Sequence, residues 1–146
     1  MSVDASGLEK LSEPEALALL ATVPLGRIVY SDRALPFVAP VSFVLDGPDI
    51  VIRTGRRSNL AIRGPGNVVA FQVDDIAVST GSGWTVVVTG RLQLVHDSTE
   101  IARLSELKLQ SWAPAASDRY LQLRPELITG RRIHPDAQRV DQQLVD

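Results

Sequence analysis

Between residues 84 and 95 the chain alternates strictly. Trp84, Val86, Val88, Leu92 and Leu94 share one face, and Thr85, Val87, Thr89, Arg91 and Gln93 share the other. A period of two marks a half-buried strand. Shorter apolar runs at 26–30, 50–53, 68–73, 120–124 and 128–133 predict further strands, bounded by turn residues such as Ser31-Asp32-Arg33 and Asp46-Gly47-Pro48-Asp49. The stretch 36–45 is apolar on both faces, so a strand there needs cover from two directions. Helical signals are few and short. Ser12-Glu13-Pro14-Glu15 has the form of a capping box with proline in the first turn, followed by Leu17, Leu19 and Leu20. A second helix is expected over 58–63, closed by Gly64-Pro65-Gly66. A third is expected to open at Asp97 and Glu100 as another capping box and run to residue 108.

Six or seven antiparallel strands with few helices predict a mainly β chain, a small closed or nearly closed β-barrel with peripheral helices. Residues 1–10 read as a loose leader, 11–133 as a single domain and 134–146 as a polar tail. There is no internal repeat. A barrel this small fills its own interior with side chains, so a ligand belongs on its outer wall, in a crevice or at a subunit interface.

Composition removes several classes of function. A net charge of −2 is small and of the wrong sign for a nucleic-acid binder driven by counterion release. The sequence has no cysteine, and therefore no disulfide framework, thiolate nucleophile or zinc–thiolate site, which suits a reducing, cytoplasmic setting. Residues 1–10 lack the basic-then-apolar pattern of a signal peptide, and the apolar stretch 36–45 is too short to span a bilayer. The expectation is a cytoplasmic protein with neither nucleic-acid nor membrane partners.

Candidate chemistry gathers at Val51-Ile52-Arg53-Thr54-Gly55-Arg56-Arg57-Ser58-Asn59-Leu60. A strand ends there in a glycine turn with two hydroxyls and three guanidinium groups, and a helix follows. Hydroxyls, arginines and helix-start N–H groups are what a phosphate oxyanion needs. Ser58 is equally explained as an ordinary N-cap, and both readings stand at this point. Elsewhere the bland reading prevails. His96 and His134 read as surface residues, and Asp74-Asp75 as a loop start. Trp84 reads as core or interface, and Arg131-Arg132 as a solvated strand end or a contact to a partner's phosphate. Trp112, near Pro114 in a polar loop, is less easily read as core.

The order of motifs resembles the pyridoxamine 5′-phosphate oxidase-like, FMN-binding split-barrel family, in its small bacterial branch. The resemblance covers residues 11–133. It is carried by Pro24-Leu25-Gly26-Arg27-Ile28, Pro40-Val41-Ser42-Phe43, Arg53-Thr54-Gly55, Ser58-Asn59-Leu60, Ala70-Phe71-Gln72-Val73-Asp74, the run from Ser82 to Arg91, and Thr129-Gly130-Arg131-Arg132-Ile133. The resemblance implies a homodimer with FMN at the subunit interface, acting as an oxidoreductase on a small-molecule substrate. The alternatives on the same fold are a flavin-binding module without catalysis and a deazaflavin-dependent reductase. By the same likeness, the backbone of Pro40, Val41, Ser42 and Phe43 runs beside the flavin ring. Arg53 and Thr54 approach the ring and ribityl-phosphate, and Ser58 binds the phosphate with Arg57 and Asn59 nearby. Thr85 falls where larger members place a glutamine near the flavin, and Trp84 forms an interface or cofactor wall. The family commonly places lysine or arginine directly after the serine. Here Asn59 and Leu60 follow it, giving one charge fewer at the phosphate. The full-length oxidase's C-terminal substrate segment is not recognisable in 135–146, so pyridoxamine phosphate oxidation itself is not expected.

Overall fold

The computed structural model describes residues 2–109 and 119–135. Trp112, the loop around it and the tail beyond residue 135 lie outside the described residues. The strands are β1 (Glu9–Leu11), β2 (Leu25–Asp32), β3 (Leu35–Asp46), β4 (Asp49–Thr54), β5 (Val68–Ala77), β6 (Ser82–Leu94) and β7 (Arg119–Ile133). The helices are α1 (Glu13–Leu20), α2 (Asn59–Arg63) and α3 (Ser98–Ser105). One seven-stranded antiparallel sheet runs β1-β7-β4-β3-β2-β5-β6, and a β6–β7 ladder closes it into a barrel. The expected mainly β architecture is what the chain adopts.

The alternation predicted for β6 is observed: Trp84, Val86, Val88 and Leu92 are buried, facing inward with Ile28, Phe71, Val73, Ile50, Ile52, Leu121 and Leu123. A smaller cluster on the outer wall buries Val51, Tyr120 and Leu104, so α3 covers the barrel beside β4 and the start of β7. Arg103 of α3 pins that cover. It donates to both carboxylate oxygens of Asp46 in the β3–β4 turn, at 3.0 and 2.7 Å, and also bonds Glu100. Arg103 holds the carboxyls of Asp46 and Glu100 below their ordinary range. A depressed carboxyl pKa stabilises the fold above the unfolded value, about pH 4, and that contribution is lost as pH falls through the lower folded value. Arg103→Met is therefore expected to flatten the acid limb of stability against pH, measured by urea melts between pH 3 and 7.

Several expectations are corrected. Over 2–10, where a loose leader is expected, the chain carries pairings. Val3 bridges to Glu9, and β1 pairs with Gly130–Arg132 of β7. The Asp4 carboxyl is held far below its usual range by the Ser6 hydroxyl first, then by the Leu8 N–H and Arg131. The two strands expected at 120–124 and 128–133 are one. Pro125 sits at a register shift, opposite Gly90, while Thr89 already pairs with Leu127. The extra residue makes a bulge, which accommodates a proline in a long strand. Gly90 permits it, because a Cβ there would lie 2.1 Å from the Arg124 carbonyl oxygen. β5 continues to Ala77, so Asp74 and Asp75 are strand residues and not a loop start. α3 stops at Ser105, with Glu100 turned to Arg103 instead of completing a capping box. The box at Ser12 and Glu15 forms as expected. Among the described residues no helix is long and apolar enough to cross a membrane.

Candidate functional site

The barrel wall parts between β3 and β4. The β3–β4 ladder runs only from Phe43↔Ile52 to Asp46↔Asp49, whereas β3 pairs with β2 along 35–42. Over 35–42, β3 is therefore paired on one side only among the described residues. The β2–β3 hairpin closes on Asp32↔Leu35 through Arg33 and Ala34, both at positive φ, as a two-residue turn of the primed type. Asp32↔Leu35 is then a hydrogen-bonded pair, and such pairs alternate with non-bonded ones along the ladder. Residues 36, 38, 40 and 42 consequently turn their backbone groups to the open side. Pro36 and Pro40 have no N–H to offer there, which is why a strand in mid-sheet tolerates them. The edge presents the N–H groups of Val38 and Ser42 and the carbonyls of Pro36, Val38 and Pro40.

The other side of the opening is the end of β4 and the turn into α2. The Thr54 hydroxyl donates to the Ser58 Oγ at 3.0 Å, and the Ala61 N–H donates to the same oxygen at 3.0 Å. Ser58 is thus the N-cap of α2, as the simpler reading of the sequence had it. A hydroxyl has two lone pairs and one proton. With both lone pairs engaged, the capacity left to Ser58 is donation, which is what a phosphate oxygen accepts. The Thr54 hydroxyl proton is engaged in that bond, so Thr54 orients the serine. The Arg53 guanidinium lies over the Tyr120 ring, 5.6 Å from its centroid, and Arg57 is exposed on the turn. The Asn59 amide donates to the Tyr30 hydroxyl at 2.8 Å, and the Tyr30 ring stacks on Phe37 at 5.5 Å. Tyr30 and Phe37 were not singled out from the sequence. Their link to Asn59 joins residues 29 positions apart, beyond any local pattern.

The structure therefore places Pro40 and Ser42 on the one-sided length of β3, and Arg53, Thr54, Ser58 and Asn59 at the end of β4 and the turn into α2. Val41 and Phe43 offer the cleft neither side chain nor backbone: their side chains are buried in the core, and their backbone groups face the β2 side, where the Phe43 N–H donates to the Pro24 carbonyl at 3.3 Å. Trp84 is a core residue, 7% exposed, and does not reach the cleft. Thr85 stands three strands away through β2 and β5, about 14 Å at ordinary strand spacing, where it accepts from Gln72 at 3.2 Å. Within one chain it takes no part. Arg131 is bonded to Asp4, and Arg132 lies 3.6 Å from Glu9. His134 is also within 2.6 Å of Glu9, so it is a half-buried clasp and not a free surface residue. His96 is exposed, at a groove of about 590 Å³ between α2 and the end of β6. No metal-binding group of His, Cys, Asp or Glu occurs among the described residues.

The profile of the pyridoxamine 5′-phosphate oxidase family matches residues 12–132. The chain belongs to that family. A family relative, an uncharacterized protein of Mycobacterium tuberculosis, is 36% identical over 133 residues, covering 88% of this chain and 87% of its own. The solved FAD-binding protein of Mycobacterium smegmatis is 31% identical with a TM-score of 0.74, over 85% of this chain and 97% of that one. A Corynebacterium glutamicum protein, provisionally classed as a pyridoxamine 5′-phosphate oxidase, is 33% identical with a TM-score of 0.77, over 86% and 92%. Solved structures as similar as these thus include a flavin-binding protein of the same fold.

Proposed function

We propose that this protein is a flavin-dependent oxidoreductase that holds its cofactor in the cleft between β3 and β4. The observation that carries the reading is the one-sided length of β3 opposite a serine whose remaining capacity is to donate. The Val38 and Ser42 N–H groups and the Pro40 carbonyl match the mixed donors and acceptors on the pyrimidine edge of an isoalloxazine ring. Ser58, Arg57 and Arg53 suit the ribityl-phosphate. Bound there, the flavin supplies hydride chemistry at its N5 atom. The protein's own residues bind the phosphate, orient the ring along β3 and leave one ring face to a small organic substrate.

FMN suits this set of contacts. The 31% identity to an FAD-binding protein supports FAD equally, since both carry the same ring and first phosphate. The decisive measurement is the absorbance of purified protein and the mass of any flavin released on denaturation, followed by titration of FMN, FAD and the deazaflavin coenzyme. Bound FMN or FAD together with NAD(P)H-driven turnover of an acceptor supports the oxidoreductase. Binding without turnover reduces it to a flavin-holding module, and deazaflavin alone shifts the cofactor. No binding of any of the three removes the reading.

The same proposal includes a homodimer. Among the described residues, α3 covers the outer wall beside β4 and the start of β7. On the uncovered wall Val38, Val68 and Leu127 are 63%, 51% and 57% exposed, with Val29, Ala70 and Val87 between them on the outward positions of β2, β5 and β6. An apolar face of this extent on so small a barrel fits a second copy. A stable dimer at micromolar concentration is expected in analytical ultracentrifugation, and a clean monomer would remove both the dimer and any interfacial site.

A further inference from the structure

We infer that Asn59 is a positioning residue: its amide ties α2 to the Tyr30 hydroxyl and so sets the separation between the 54–58 turn and the open edge of β3. The inference rests on the flavin reading above for its consequence, but its geometry stands apart from any ligand. Asn59 Nδ2 donates to Tyr30 Oη at 2.8 Å. Tyr30 is 5% exposed while Asn59 is exposed, and the bond between them is part-buried. Its ring is stacked on Phe37 at an interplanar angle of 17°, and Phe37 is its cross-strand partner on the one-sided length of β3. One wall of the cleft is thereby linked to the other through three side chains. The second tie from α2 to this hairpin, Arg63 to Asp32, is longer at 3.8 Å and lies at the far end of the helix, with the arginine side chain 47% exposed. It cannot fix the first turn as closely. A neutral amide is a weak phosphate ligand beside arginine. What Asn59 offers instead is reach: its short side chain holds the Ser58 turn at the distance of one hydrogen bond from a buried tyrosine.

Two roles for Asn59 separate cleanly. A residue that touches the phosphate acts independently of Tyr30, whereas one that acts through Tyr30 does not. FMN and FAD affinities of wild type, Tyr30→Phe, Asn59→Ala and the double variant form a double-mutant cycle. Each single change is expected to weaken flavin binding about tenfold, and the double no further than either single. Multiplied losses near a hundredfold in the double, or no loss in Tyr30→Phe, would overturn the inference. Tyr30→Phe keeps the ring stack and the core volume, so misfolding does not confuse the result. Amide hydrogen exchange of the 58–64 segment in the ligand-free protein supplies a second readout. It should speed up equally in both singles and the double. If wild type binds neither flavin, the functional reading fails by itself. The tie is then decided by exchange alone: faster exchange in both singles keeps it, and unchanged exchange removes it.

Discussion

Phe71→Ala is expected to lower the free energy of unfolding by about 3–5 kcal/mol. Phe71 is fully buried, and its ring meets the edge of Phe43 with centroids 4.8 Å apart and planes at 70°. Its tip fills the space over Gly26 so closely that a Cβ on that glycine would come within 2.3 Å of the ring. The surroundings cannot close over the cavity, because β5 is held between β2 at Ile28↔Phe71 and β6 at Phe71↔Val88. Urea melts at fixed protein concentration measure the loss, since dissociation of a dimer would otherwise enter the result. A loss under about 1 kcal/mol would mean that the interior repacks despite the paired strands.

Ser58→Ala is expected to weaken flavin binding ten- to hundredfold, the loss of one charge-assisted hydrogen bond of about 1.5–3 kcal/mol. The same change removes the acceptor of the Ala61 N–H and the Thr54 hydroxyl, so it should also cost the fold about 1 kcal/mol as a lost N-cap. The two effects separate by experiment. Thermal melts of the ligand-free protein read the cap, and flavin titration reads the phosphate. Thr54→Val removes the orienting bond without the cap, and a smaller loss of affinity is expected from it. Flavin affinity unchanged in Ser58→Ala would show that the phosphate is held elsewhere, and the cap would then be the whole of that serine's role.

What was legible in the sequence was local. The capping box at Ser12 is spelled by four neighbouring residues, and the β6 face by strict alternation. The cleft's hydroxyls and arginines stand in one short run, so they were found together. What was missed depended on partners distant in sequence. β1 exists because Asp4 and Glu9 meet arginines at the far end of the chain, and no pattern within 2–11 announces that pairing. Pro125 reads as a break, and only the matching absence of a side chain at Gly90, on another strand, lets the bulge carry β7 through it. Tyr30 has the spacing of a buried strand residue and nothing more. Its hydroxyl gains a role only when α2 is folded against it.

The two prolines of the one-sided length have a consequence for solubility. An unpaired strand in the middle of a sheet invites another chain to add itself, by domain swapping or by aggregation. Such an intruder needs a regular ladder of donors and acceptors. Pro36 and Pro40 remove every second donor from that row, leaving Val38 and Ser42 too far apart to template a continuous ladder. A small ligand that needs only one or two contacts is not hindered by the gaps. The prolines thus act as a filter against an added polypeptide strand.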